Sequence, residues 1–174
     1  MRKNLKILNI KKSHDKRGIF LKLFGSKFLN KKKFNIREIN LVFNKKKNTF
    51  RGFHFQKKPF NETKIVTVIS GSIIDFSVNL DIKSKSFGKI YEYKISAKNP
   101  RMIKIPSHCA HGYLTLDDNT NVIYFSDMFY KKKSEVVISY KDKDLNFKFK
   151  NKIKIISKKD KNGLSLKDFK SKII

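Results

Sequence analysis

The sequence predicts an all-β domain, a sandwich or barrel of short strands with one short helix at its C-terminal end. Three observations predict it. Apolar residues recur with period 2 almost throughout, as strands with two different faces require. The runs are short and separated by Lys, Asn and Asp turns, the spacing of sandwiches and barrels. A helical pattern comes only at 165–172, where Ser165 can cap, Asp168 follows three residues later, and no Gly or Pro interrupts.

In chain order, strand-like stretches fall at 5–10, 18–24, 38–43, 50–56, 63–70, 89–96, 101–105, 121–129 and 148–156. The clearest alternation lies between 70 and 80, where Ile74, Phe76, Val78 and Leu80 interleave with Ile73, Asp75, Ser77 and Asn79. Ser70-Gly71-Ser72 before it reads as a tight hairpin turn. Basic clusters at 31–33, 45–47, 57–58, 131–133 and 158–161 mark connections. With no internal repeat and no Pro- or Gly-rich linker, residues 1–174 are expected to form a single domain. Sixteen Phe and six Tyr supply the core.

The formal net charge is +28, and a chain so basic attracts polyanions. Only five of the 42 basic residues are Arg, at 2, 17, 37, 51 and 101, whereas base and bidentate phosphate recognition favours Arg. The lysines are spread over nearly every connection, so the charge is expected to sit on solvated loops rather than on a nucleic-acid-binding face. No apolar run approaches the roughly 20 residues of a membrane helix. The opening MRKNLKILNI has no long apolar region or small-residue cleavage site, which argues against a secretory signal. A single cysteine, Cys109, permits no internal disulfide. The cytoplasm is the expected compartment.

Several residues could carry chemistry. His54 lies within FRGFHFQ, either as a core histidine satisfied by a neighbour or as a reactive group among phenylalanines. Arg51 and His54 would point to opposite faces of a regular strand, and Gly52 is expected to host a bulge that brings them together. His108 and His111 in IPSHCAHGYL do not complete a metal set, because Gln56 breaks the His-x-His pairing that begins at His54. Lys64 either snorkels to the rim or offers a fixed cation to phosphate or an enolate. Val122, Tyr124, Ser126, Met128 and Tyr130 would share one strand face, either filling a core or lining a pocket.

Taken in order, these segments resemble the dTDP-4-dehydrorhamnose 3,5-epimerase family from about residue 5 to the C-terminus. The matching blocks are DKRGIF (15–20), EINLVFNKKKNTFRGFHFQ (38–56), TKIVTVISGSIIDFSVNL (63–80), SFGK, IPSHCAHGYL, NVIYFSDMFY (121–130) and ISKKDKNGLSLKDF (156–169). The resemblance implies a cupin-like β-barrel or jelly roll with a short C-terminal helix. It also implies inversion of C3 and C5 in a nucleotide-linked 4-keto sugar, dTDP-4-dehydro-6-deoxy-D-glucose, for deoxysugar synthesis of the L-rhamnose type. It assigns His54 as base, Asp160 as its carboxylate partner, Tyr124 as acid and Lys64 as enolate or substrate contact. Arg17, Arg51 and His111 would contact substrate and diphosphate, Asn40 the nucleotide, and Tyr130 the base by stacking. Glu135 and Lys159 fall on further substrate-contacting positions.

No metal or other cofactor is implied, and the family assembles as homodimers that exchange N-terminal strands. His108 and Cys109 replace the family's more usual Gly and aromatic residue before Ala-His-Gly, and two further positions depart from the pattern: Lys22 replaces a Glu, and Glu38 replaces the Gln of Gln-x-Asn. Both are associated with nucleotide contacts, and a charge swap would pair Lys22 with Glu38. The alternatives are inversion at C3 or C5 alone, a 3,4-ketoisomerase on a related sugar, and a basic nucleic-acid-binding β domain. Gln56 and Lys57, where a ketoisomerase carries a second His, weigh against that enzyme.

Overall fold

A computed structural model describes residues 6–23, 25 and 34–172. The N-terminal part of the chain forms β1 (Lys6–Asn9), β2 (Lys11–Asp15), β3 (Gly18–Lys22), β4 (Glu38–Asn44) and β5 (Thr49–Gln56). The middle forms β6 (Lys64–Ser70), β7 (Ser72–Asn79), β8 (Ile90–Ser96), β9 (Arg101–Ile105), β10 (Cys109–Thr115) and β11 (Thr120–Ser126). The end contributes β12 (Glu135–Val137), β13 (Ile155–Ile156) and two short helices, α1 (Lys158–Lys161) and α2 (Leu166–Ser171).

Two sheets carry the fold. One has the order β1-β9-β6-β11-β4, the other β12-β5-β10-β7-β8 with β13 added to β5, while among the described residues β2 and β3 pair only with each other. The architecture is thus all-β, as expected, but the strands make two facing sheets rather than a closed barrel.

Strand alternation distributes side chains over three apolar layers. Val66, Val68, Ile73, Ile95, Ile103, Tyr113 and Val122 fill the space between the sheets. Phe50, Phe53, Phe76, Val78 and Leu114 face the other way and are covered by Leu145, Leu166 and Phe169 of the C-terminal segment. Leu8, Ile65, Met102 and Phe125 form the outer layer under β1. Both faces of β7 are therefore buried: the all-apolar one lies under the C-terminal segment, and Asp75 and Ser77 look into the sandwich.

Three expectations are corrected. Ser70-Gly71-Ser72 is not a hairpin, because β6 and β7 belong to different sheets; Gly71, at φ +71, turns a corner between them. The stretch 148–156 pairs only at Ile155–Ile156, parallel to β5. Its alternation reflects Phe149 and Ile153 seating on the outer core, which needs no backbone ladder. The strand proposed for 121–129 stops at Ser126, so Tyr130 is not on the strand that carries Tyr124.

The C-terminal helix follows its expected capping: the Ser165 hydroxyl accepts the N–H of Asp168 and donates to that residue's carboxylate.

Candidate active site

β5 and β10 pair antiparallel with one register shift: His111 stands opposite His54, and Tyr113 opposite Arg51. Two residues on β10 therefore span three on β5, so the extra residue at Gly52 turns Arg51 and His54 toward neighbouring positions of one partner face. Gly52 has φ +141, and a Cβ there would stand 2.5 Å from Gly112 Cα, so only glycine fits.

His54 Nε2 lies 2.8 Å from Asp160 Oδ1. The imidazole is 29% exposed and the carboxylate 3%, so one end of the pair faces the cavity while the other is anchored inside. Asp160 sits in the first turn of α1, where Ser157 caps its N–H, and its second oxygen accepts the Gly52 N–H at 3.2 Å. The bulge thus ties His54 and Asp160 together. Burial pushes the Asp160 carboxyl up, but the hydrogen bond and charge of His54, the Gly52 N–H and Lys159 outweigh it and hold the group below the usual carboxylate range.

The facing sheet supplies the opposite wall. Tyr124 on β11 stands between Asn40 of β4 and Val66 of β6. Burial, with the charges of Glu62, Tyr113 and Glu38, pushes its phenol up to about 12 against a smaller pull from Arg51. The Tyr124 phenol is therefore neutral at physiological pH. Lys64, at the start of β6, places Nζ 5.9 Å from the Tyr124 ring centroid and 3.0 Å from Glu62 Oε1.

His54, Lys64, Tyr124, Asn40, Glu38 and Glu62 line one cavity of about 490 Å³. Its rim is a knot of three groups: Glu135 accepts the Tyr130 hydroxyl at 3.0 Å and Lys159 Nζ at 2.8 Å. The Tyr130 N–H donates to Glu38 Oε1, which brings Tyr130 to the cavity although its strand has ended.

Arg51 and His111 stand beside this cavity rather than in its wall. Arg51 Nε donates to Asn44 Oδ1 at 3.0 Å, and His111 Nε2 lies 2.7 Å from the buried Asp75 Oδ2. Arg17 and Lys22 are not brought to it. Arg17 pairs with Asp15 at the tip of the β2–β3 hairpin, and Lys22 faces Lys11 across it. Among the described residues no ion pair joins Lys22 to Glu38.

Sequence reasoning missed Glu62, Asn44 and Asp75. For Asp75 a signal existed, an acidic residue on a strand whose opposite face is wholly apolar; for Asn44 and Glu62, each beside a basic turn, there was none.

His54 on one sheet, backed by Asp160 of α1, and the Tyr124 phenol on the facing sheet thus line one cavity. The family model described as dTDP-4-dehydrorhamnose 3,5-epimerase matches residues 3–168, and the chain belongs to that family. It is 32% identical to the dTDP-4-dehydrorhamnose 3,5-epimerase of Shigella flexneri, over 88% of this chain and 86% of the relative. It is similar to the crystal structure of the Bacillus anthracis enzyme with TDP and PPi bound, with TM-score 0.88, 31% identity and coverage of 92% and 93%. It is also similar to the Legionella pneumophila epimerase in complex with dTDP-4-keto-L-rhamnose, with TM-score 0.90, 26% identity and coverage of 98% and 92%.

Proposed function

We propose that this cavity inverts C3 and C5 of dTDP-4-dehydro-6-deoxy-D-glucose, with His54 as base and Tyr124 as acid on opposite faces of the sugar. The observation that carries the reading is that these two groups stand on facing sheets yet line one cavity, with His54 backed by a buried carboxylate.

A carbon-bound proton beside a ketone is weakly acidic, so the site must both remove it and stabilise the enolate. Asp160 holds His54 in one orientation and stabilises the imidazolium that forms. Lys64 faces the C4 oxygen as negative charge develops there. Tyr124, protonated, returns a proton to the far face. Asn40 and Glu38 contact the nucleotide, Tyr130 stacks on the base, Glu135 and Lys159 contact the substrate, and Arg51 and His111 hold the diphosphate.

The test is turnover in D2O followed by NMR. Deuterium at both C3 and C5 of the product is expected, and label at neither carbon contradicts the reading.

Arg17 and Lys22 enter through a homodimer. β4 is patterned in reverse: Glu38, Asn40 and Val42 point inward, whereas Ile39, Leu41 and Phe43 on the outer face are 60%, 46% and 67% exposed. The hairpin likewise exposes Ile19 at 58% and Phe20 at 65%. Apolar surface of this extent on one strand calls for a cover, and a second copy contributing its hairpin would supply one and carry Arg17 toward the partner's cavity. Sedimentation should give a dimer, and the double variant Ile39→Asp/Phe43→Asp a less active monomer; a wild-type monomer would remove this part of the account. The described residues contain no helix long and apolar enough to cross a membrane; the cytoplasm is the compartment proposed here.

A further inference from the structure

We infer that Glu62 is the positioning residue that fixes Lys64 against the reacting carbonyl, with Ser126 as its second anchor. The inference rests on the reading above of Lys64 as the enolate-facing cation.

A lysine carries a flexible four-carbon stem with much rotamer freedom to lose, so a catalytic ammonium needs a holder. Lys64 has one. Its Nζ lies 3.0 Å from Glu62 Oε1, and both side chains are largely buried, at 12% and 11% exposure. The other oxygen of Glu62 accepts the Ser126 hydroxyl at 2.6 Å. Ser126 is fully buried and stands directly across from Lys64 in the β6–β11 ladder. Its Oγ also receives the Met128 N–H at 3.2 Å, so the backbone that ends β11 pins the hydroxyl in place. The carboxylate is thus held at one oxygen by a rigid strand and holds the ammonium with the other. Glu62 itself lines the cavity, which leaves Lys64 reaching between Glu62 and the space the substrate fills.

The same carboxylate acts on the acid. After burial, its charge is the largest influence raising the Tyr124 phenol. One residue therefore couples the position of the cation to the protonation of the donor, and this gives the inference a readout that a merely structural role would not move.

The test compares Glu62→Ala with Glu62→Gln. Glutamine keeps a carbonyl oxygen for Lys64 and presents its amide to Ser126 Oγ, whose own proton can turn to the Met128 carbonyl 2.7 Å away; alanine keeps neither. A misplaced catalytic group costs up to about 100-fold in rate, so Glu62→Ala is expected to lower kcat by about 10–100-fold with little change in KM, and Glu62→Gln to recover about tenfold of that. In both variants the phenol should titrate at lower pH than in the parent, by ultraviolet absorbance of the tyrosinate, because the negative charge is gone.

Equal kcat in Glu62→Ala and the parent would overturn the inference. So would equal losses in the two variants, or an unmoved phenol titration. Failure of the parent enzyme itself to label C3 and C5 in D2O is a separate result that removes the underlying reading.

Discussion

Replacing His54 by alanine is expected to abolish deuterium incorporation into the sugar and to lower turnover by about 10²–10⁴-fold, the usual contribution of a positioned base. Among the described residues His54 is the one imidazole in the cavity wall, and a buried carboxylate stands behind it. The fold should persist, because the ring is partly exposed and Asp160 keeps the Gly52 N–H and its place in the capped turn of α1. Unchanged circular dichroism together with unchanged exchange would show that another group takes the proton.

Tyr124→Phe should separate proton removal from inversion. The phenylalanine ring preserves the packing between Asn40 and Val66, and the base on the facing sheet is untouched, so label should still enter. The proton can then return only from the base side or from water, and correctly inverted product is expected to fall by about 10²-fold or more, with the larger deficit at C5. A variant that makes the same product at the parent rate would remove Tyr124 as the acid. The high phenol pKa, about 12, points the same way. A folded-state value above that of the unfolded chain keeps the neutral form, and the stability it contributes, intact below about pH 10 and loses it only as the pH rises toward 12.

Much of the fold could be read from alternation alone, since most strand runs between 38 and 105 pair where the period-2 pattern placed them. The failures have physical causes. Alternation does not mark β10, Cys109–Thr115, because every residue in it is buried, and a strand covered on both faces has no polar side to show. The stretch 148–156 had the alternation without the pairing, because a chain lying over a sheet needs one apolar face as much as a strand within it does. The corner at Gly71 carried the residues of a hairpin, and only the assembled sheets show that its flanking strands part company.

The site divides in the same way. His54, Tyr124, Lys64 and Asp160 lie in the motifs that carry the family resemblance, and the fold brings them together from β5, β11, β6 and α1. The bulge at Gly52 follows from strand geometry, because Arg51 and His54 would otherwise point to opposite faces of the strand. Glu62 and Asn44 were illegible for a different reason: each acts through a catalytic or binding side chain rather than on substrate, and such partners are set by where strands end. Arg17 and Lys22 matched motif positions on a hairpin that one chain leaves away from its own cavity.

The most direct test is a crystal structure of the protein with a dTDP-linked 4-keto sugar bound. The hexose should lie in the cavity between the imidazole and the phenol, with its C4 oxygen toward the lysine ammonium. A sugar seated instead in the larger cleft of about 920 Å³ beside Phe87 and Phe147 would contradict the account.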